Sequence, residues 1–139
     1  MHEVHFDLLW IGHMLDIRER ESLFDIGVTN VIDVAYEEKP AQLPRQLVYC
    51  RFPLNDGAGN EPSVVLQALR TACDFLKFKS KTLIACSAGM SRSPTIAAFS
   101  LAHHLKVMPE EVIERIGDKK SLELNPDFWL EVKMAFEQL

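Results

Sequence analysis

The sequence predicts an α/β fold, a central and largely parallel sheet flanked by helices, formed by a single domain over residues 1–139. Short apolar runs alternate along the chain with segments of helical periodicity, which is typical of parallel strands joined by crossover helices. One such run, Thr82 to Ala85, leads through a loop of small residues directly into a helix that begins near Ser93-Pro94. With 47% hydrophobic and 25% charged residues, the chain has the composition of a soluble domain with its own core.

The first third of the chain predicts two strands and a surface helix. Asp7 to Ile11 is predicted as a strand closed by Gly12. Mixed charged and apolar residues from about Met14 to Ile26 predict a helix, which Gly27 ends. Asn30 to Ala35 is apolar on both faces, and this indicates a central strand.

The rest of the chain predicts two further strands and four helices. Residues 37–44, with two prolines and several charges, predict a solvated loop before a third strand over Leu47 to Leu54. Glu61-Pro62-Ser63 begins a long helix with an apolar stripe at helical spacing, formed by Val65, Leu69, Ala72, Cys73 and Leu76. The strand Thr82 to Ala85 and its mostly apolar helix follow, then a helix from Pro109 and a last one capped by Asn125-Pro126.

The loop between the strand and its helix, Cys86 to Arg92, carries the residues of a covalent phosphoryl transfer. Small side chains and Gly89 let backbone N–H groups converge at a helix N-terminus, which makes an anion site. The same field favours the thiolate of Cys86, which is a good nucleophile and a good leaving group. Arg92 offers a planar fork for two phosphate oxygens. We expect substrate phosphate to bind the loop residues Ser87, Ala88, Gly89, Met90, Ser91 and Arg92.

This Cys-x5-Arg loop, followed by Ser93, resembles the signature loop of the cysteine-dependent protein tyrosine phosphatase superfamily, most closely that of its small (atypical) dual-specificity branch. The resemblance covers nearly the whole chain and extends to Leu9-Trp10-Ile11-Gly12, Asn30 to Val34, an aspartate loop after Phe52-Pro53-Leu54, and Asn125-Pro126-Asp127-Phe128. It implies a protein tyrosine phosphatase-like fold and hydrolysis of phosphotyrosine and phosphoserine or phosphothreonine in proteins through a cysteinyl-phosphate. It also implies that Cys86 is the nucleophile, that Arg92 clamps the phosphate, and that the Ser93 hydroxyl donates to the leaving sulfur.

The candidate general acid is Asp56, in a glycine-flanked loop 30 residues before the cysteine that can close over substrate. Its sequence context, Asn55-Asp56-Gly57, is also an ordinary turn signal, and Ser93 is also an ordinary helix cap. Asp33 is a carboxylate in an apolar strand, so we expect it to have a hydrogen-bond partner and a bracing role rather than a catalytic one.

Two features depart from the pattern or leave alternatives open. The resemblance implies a histidine before the nucleophile, where this chain has Ala85. Cys50 is interpreted as a core residue, although a protective disulfide with Cys86 is an alternative.

No cofactor is expected. No metal is expected either, since His103 and His104 have no cysteine or carboxylate at ligand spacing.

The net charge of −5 argues against nucleic acid and against an anionic membrane as partners. Three cysteines without a disulfide framework and the lack of a basic apolar leader indicate the cytoplasm. The uncharged loop residues favour phosphoprotein monoesters as substrates. The oligomeric state is not predicted.

Two alternative functions remain: a phosphate-binding protein without turnover, and a sulfur-transfer enzyme of the rhodanese type.

Overall fold

The computed structural model describes residues 1–139 and contains five strands and six helices. In chain order the elements are β1 (His2–His5), β2 (Leu9–Gly12), α1 (Met14–Arg18), α2 (Arg20–Ile26), β3 (Asn30–Ala35), β4 (Val48–Leu54), α3 (Pro62–Lys77), β5 (Thr82–Ala85), α4 (Arg92–Leu105), α5 (Pro109–Lys119) and α6 (Pro126–Phe136). The predicted α/β architecture is therefore confirmed.

The strands form one sheet in the order β1-β2-β5-β3-β4, with β5 at its centre. The pairs β2–β5, β5–β3 and β3–β4 are parallel, and only the edge strand β1 is antiparallel. Ile84 of β5 lies opposite Ile11 on one side and Ile32 on the other. Every residue of β2, β3 and β5 is buried because helices cover both faces of the sheet. The carboxyl end of the central strand is where Cys86 begins its loop.

Helix α4 fills the layer of helices on one face of the sheet. Its residues from Arg92 to Ala102 are all buried, because it packs between the sheet and helices α3, α5 and α6. Phe99, which is 1% exposed, contacts Trp129 and Phe136 of α6 at ring-centroid distances of 4.6 and 5.3 Å. The smaller core on the opposite face joins α1 and α2 to the sheet through residues such as Met14 and Ile17. These two layers enclose β5, from which the cysteine loop begins.

The element bounds differ from the sequence prediction in two places near the N-terminus. The strand predicted from Asp7 is β2, and it begins at Leu9. Asp7 itself adopts a left-handed conformation, with φ 51°, in the turn that joins β1 to β2. Strand β1 was not predicted, since its four residues carry three polar side chains. The predicted helix over 14–26 is two helices, which meet at Glu19 with φ −90° and ψ 75°. Neither glycine nor proline marks that junction in the sequence.

None of the six helices has the combination of length and apolarity that a membrane span requires.

The strand register separates the cysteines for which a disulfide was considered. Cys50 and Ile84 pair with Ile32 from opposite sides, and Ile84 is two residues before Cys86. Two strand spacings amount to about 9.5 Å, whereas the Cα atoms of a disulfide lie within about 7 Å. All three cysteines are free thiols. A disulfide between Cys50 and Cys86 therefore does not fit this fold.

Candidate active site

Cys86 lies at the bottom of the loop that joins β5 to α4, and it is 2% exposed. Its backbone N–H donates to the carbonyl of Gly12 at 3.2 Å, so the loop starts against the end of β2. The N–H of Gly89 donates to Cys86 Sγ at 3.2 Å. A backbone donor aimed at the sulfur stabilises a thiolate there.

Gly89 is required for the shape of this loop. Its φ of +76° lies in the left-handed region, and a Cβ at this position would lie 3.1 Å from the carbonyl carbon and oxygen of Gly12. Any side chain would therefore strain the backbone and press on β2 at once. The expected backbone role of this glycine has two separate physical causes.

Ser93, in the first turn of α4, lies beside the sulfur of Cys86. The thiol of Cys86 donates to Ser93 Oγ at 3.3 Å, and the Ser93 hydroxyl donates to the carbonyl of Gly12 at 3.3 Å. The helix has no side-chain cap, since Ser91 is its N-cap residue and makes no capping bond. The alternative interpretation of Ser93 as a helix cap is therefore wrong.

The guanidinium of Arg92 is buried and is held by three acceptor oxygens, two from Glu37 and one from Leu54. Its Nη1 and Nη2 atoms donate to Glu37 Oε1 and Oε2 at 2.6 and 2.7 Å, and Nη1 also donates to the carbonyl of Leu54 at 2.7 Å. Although burial disfavours the charged form, the hydrogen bond with Glu37 raises the pKa of Arg92. The same bond lowers the pKa of Glu37 below its ordinary value. The Nε side of the fork makes no hydrogen bond within the protein and can bind two oxygens of a phosphate.

Asp33 and Arg51 fix the segment that presents Glu37. The buried carboxylate of Asp33 accepts from the N–H of Ala35 at 3.0 Å and from the hydroxyl of Tyr49 at 2.6 Å. Burial, followed by this bond, raises the pKa of Tyr49 to about 12. Arg51 Nη2 donates to the carbonyl of Glu38 at 3.1 Å. Asp33 thus has the expected hydrogen-bond partner and braces the turn after β3.

Asp56 is joined to the cysteine loop through Ser91. Ser91 Oγ donates to Asp56 Oδ1 at 2.6 Å and accepts from the backbone N–H of Asn125 at 3.0 Å. The Asn125 side chain donates to the carbonyl of Asp56 at 3.0 Å, and it also caps α6 by accepting from the N–H groups of Asp127 and Phe128. The carboxylate of Asp56 is thereby directed toward the mouth of the loop.

A second set of bonds attaches the aspartate loop to α6. Asn60, which is 9% exposed, accepts from the N–H of Asn55 at 2.7 Å and donates to the carbonyl of Gly57 at 3.1 Å. Glu131 Oε1 accepts from Asn60 Nδ2 at 2.8 Å, and Glu131 Oε2 accepts from the N–H of Gly59 at 2.9 Å. These contacts fix the aspartate loop against α6.

The groups enclose a cavity of about 120 Å³ that is lined by Asp56, Cys86, Ala88, Met90, Ser91, Arg92 and Glu123. Larger cavities lie elsewhere, such as one of about 560 Å³ beside Arg18 to Ser22, but they contain no cysteine. The volume of the small cavity suits a single tetrahedral oxyanion. Its lining includes the thiol of Cys86, the guanidinium of Arg92 and the carboxylate of Asp56, which the sequence analysis selected as candidate catalytic groups.

Two predicted loop residues do not line this cavity with their side chains. Ser87 Oγ points outward and donates to Glu38 Oε2 at 3.1 Å, and Glu38 in turn accepts from Arg18 at 3.3 Å. Gly89 is not among the lining residues, and its backbone N–H donates to Cys86 Sγ. Ala85, at the position before the nucleophile, is fully buried in the smaller core and offers no polar group to the loop.

Four residues at or near the candidate site were missed by the sequence analysis: Glu37, Asn60, Glu123 and Glu131. Glu37, Asn60 and Glu131 each form a hydrogen bond with a residue far away in the chain, and the N–H of Glu123 donates to the carbonyl of Met90 at 3.0 Å. No local pattern marks any of the four. Asn125 was identified as a helix cap, but its second role, on Asp56, was not.

No protein-family model matches the chain, and no curated protein matches it. Solved structures do match. Human DUSP28 superposes with a TM-score of 0.84 at 20% sequence identity, over 99% of this chain and 96% of that chain. DUSP15 gives a TM-score of 0.80 at 22% identity over 98% of this chain and 86% of that chain. A mouse putative dual specificity phosphatase complexed with zinc tungstate gives a TM-score of 0.83 at 19% sequence identity, over 99% of this chain and 86% of that chain.

Similarity at these identities establishes the fold. The expected protein tyrosine phosphatase-like architecture, in the form that the small dual-specificity phosphatases have, is confirmed along essentially the whole chain.

Proposed function

We propose that this chain, which has the fold of the small dual-specificity phosphatases, hydrolyses phosphate monoesters of proteins through a cysteinyl-phosphate intermediate. One observation carries the proposal: Cys86, the unpaired Nε side of Arg92 and Asp56 converge on one cavity of about 120 Å³. A nucleophile, an oxyanion clamp and a proton donor are the three groups that the reaction needs.

In the first step the Cys86 thiolate attacks phosphorus, and the S–P bond forms as the bond from phosphorus to the ester oxygen breaks. Asp56, as the carboxylic acid, gives its proton to the departing oxygen. Its Oδ1 already accepts from Ser91, so Oδ2 is the oxygen available to carry the proton. Arg92 and the loop N–H groups bind the equatorial oxygens, where negative charge is held in the transition state.

In the second step water attacks the cysteinyl-phosphate and releases inorganic phosphate. Asp56, now a carboxylate, takes the proton of the water, and the S–P bond breaks to regenerate the thiolate. The Ser93 hydroxyl lies 3.3 Å from the sulfur, and rotation about its C–O bond turns its hydrogen from Gly12 to the leaving thiolate. A donor at that position stabilises the leaving group.

The cavity's neutral loop side chains, Ala88 and Met90, support monoesters over substrates that carry several phosphates. We propose phosphotyrosine and phosphoserine or phosphothreonine as substrates. One of the solved structures that share this fold is described as a mouse putative dual specificity phosphatase. A phosphorylated protein or peptide is then the partner. The free thiols of all three cysteines fit a cytoplasmic protein.

The decisive experiment is hydrolysis of an aryl phosphate, with and without vanadate, by the wild type and by Cys86→Ser. We expect vanadate-sensitive turnover that Cys86→Ser abolishes, while that variant still binds a phosphopeptide, because most of the cradle is backbone. Phosphopeptide binding without turnover by the wild type would support the non-catalytic rival. Sulfur transfer from thiosulfate to cyanide, without phosphatase activity, would support the rhodanese-type rival.

A further inference from the structure

The face of the molecule opposite the cavity combines exposed aromatic rings with lysines. Helices α3 and α4 both run from the cavity end of the sheet to this far end, and the β1–β2 turn lies there too. Phe6 is 86% exposed and Phe78 is 75% exposed, the two highest values among the large hydrophobic side chains. We call this the basic aromatic face and define it by Phe6, Phe78, Lys77, Lys79, Lys81 and Lys106.

Contacts join the β1–β2 turn, the segment after α3 and the end of α4 into one surface. Lys81 Nζ pairs with Asp7 Oδ1 at 3.0 Å, which joins the β1–β2 turn to the segment after α3. The rings of His5 and His104 lie 6.2 Å apart, which joins the same turn to the end of α4. Lys77 lies 5.9 Å above the ring of Phe78. The aromatic and basic groups therefore share one end of the domain.

Backbone strain is concentrated at this face. The chain has three non-glycine residues with positive φ, and all three lie here: Asp7 at 51°, Lys79 at 55° and Lys106 at 58°. Lys79 and Lys106 follow α3 and α4 at the position of the helix C-terminus that glycine usually occupies. Gly27 occupies the equivalent position after α2, with φ 81°. Two helix ends here thus carry a lysine where glycine is conformationally easier.

We propose that the basic aromatic face docks on an anionic lipid surface. The whole-chain charge of −5 opposes such docking, but Lys77, Lys79 and Lys106 at this one end have no ion-pair partner, and Lys81 beside them neutralises Asp7. Lysines attract acidic headgroups, and exposed phenylalanines on turn tips enter the interface between headgroups and acyl chains. The rings protrude from turns instead of lining a groove, and this shape suits a bilayer better than a peptide. Docking in this orientation leaves the cavity facing the solvent.

The test is co-sedimentation of the full chain with phosphatidylcholine vesicles, with and without phosphatidylserine. We expect binding only with phosphatidylserine, and weaker binding at high salt because screening shortens the reach of the lysines. Lys79→Gly/Lys106→Gly relieves the backbone strain, so this variant should be at least as stable as the wild type and yet bind at least tenfold more weakly. Phe6→Ser/Phe78→Ser should reduce binding by a similar factor.

The matched control is Met134→Ser, because Met134 is 60% exposed on α6 and lies beside Pro62, at the opposite end of α3 from this face, so its loss should leave vesicle binding unchanged. Hydrolysis of a soluble aryl phosphate reports whether each variant is folded. Failure of the wild type to sediment with phosphatidylserine vesicles would overturn the proposal. So would equal losses in the control, or binding of soluble polyglutamate through the same lysines without any vesicle binding, which would assign the face to an acidic protein partner.

Discussion

The carboxylate of Glu37 and the guanidinium of Arg92 form a two-point ion pair, with oxygen–nitrogen distances of 2.6 and 2.7 Å. The arginine side chain is 5% exposed, whereas that of Glu37 is 52% exposed. Glu37 thus holds the edge of the guanidinium that faces away from the Nε side. An arginine fixed in this way loses less conformational freedom when phosphate binds.

The first prediction concerns Glu37 as a positioning residue. Glu37→Gln removes one of the two acceptor oxygens and the charge, so the guanidinium should lose its fixed orientation. We expect kcat/KM for an aryl phosphate to fall about tenfold, since a charge-assisted hydrogen bond contributes about 1.5–3 kcal/mol and this one is partly exposed. Glu111→Gln on α5 is the control and should keep full activity. Unchanged kcat/KM in Glu37→Gln would mean that Arg92 is positioned without its partner.

The second prediction is a pH dependence of stability. The hydrogen bond from Arg92 lowers the pKa of Glu37 from its ordinary 4.5. A carboxyl group with a depressed pKa in the folded state adds stability that is complete above pH 4.5 and disappears as the pH falls through the folded-state value. In urea titrations, wild type should therefore exceed Glu37→Gln in unfolding free energy at neutral pH, and the difference should vanish in more acidic buffer. A constant difference across this range would contradict the assignment.

The third prediction separates Asp56 from the residue that holds it. General acid catalysis contributes about 10²–10⁴-fold, and it matters most when the leaving oxygen is basic. Asp56→Asn should therefore lose far more activity on phosphotyrosine than on a nitrophenyl phosphate. Ser91→Ala removes the 2.6 Å bond to Asp56 but keeps the carboxyl group. It should show the same dependence on the leaving group with a smaller loss.

Equal losses of Asp56→Asn on both esters would exclude it as the acid. A loss in Ser91→Ala that does not vary with the leaving group would mean that Ser91 acts on the loop alone.

The site's chemistry could be predicted from the sequence where neighbours along the chain create it. Cys86, Gly89 and Arg92 share one strand–loop–helix unit, so spacing alone brings them together. Asp56 could be predicted because its loop follows the end of a strand, and the carboxyl ends of parallel strands meet at one edge of the sheet. The confirmed fold follows from the same local patterns.

The positioning residues could not be predicted in this way. Glu37 reaches Arg92 across 55 positions of the chain and Glu131 reaches Asn60 across 71. Glu37 lies in a segment predicted as a solvated loop and Glu131 lies on the predicted last helix, and the partner of each depends on how the fold brings distant segments together. Strand β1 was missed for a related reason, since its pairing with β2 compensates for its weak local pattern.

The last prediction concerns Gly89, whose two constraints can be separated by a control. Gly27 has nearly the same backbone conformation, with φ +81° against +76°, but a Cβ there would meet only the flexible Lys81 side chain at 3.5 Å. Gly27→Ala should therefore show the conformational cost alone, about 1–2 kcal/mol of unfolding free energy, with normal phosphatase activity. Gly89→Ala adds a 3.1 Å contact with the backbone of Gly12.

Relief of that contact requires the cysteine loop to move away from β2, and the Gly89 N–H that donates to Cys86 Sγ moves with it. We therefore expect Gly89→Ala to be less stable than Gly27→Ala by thermal and urea unfolding, and to lose most of its kcat even where it is fully folded. Iodoacetamide should also alkylate Cys86 more slowly in Gly89→Ala than in Gly27→Ala, because the thiolate loses a donor. If the two variants were equally stable and equally active, the loop would tolerate a Cβ at Gly89, and the contact with Gly12 would not determine its shape.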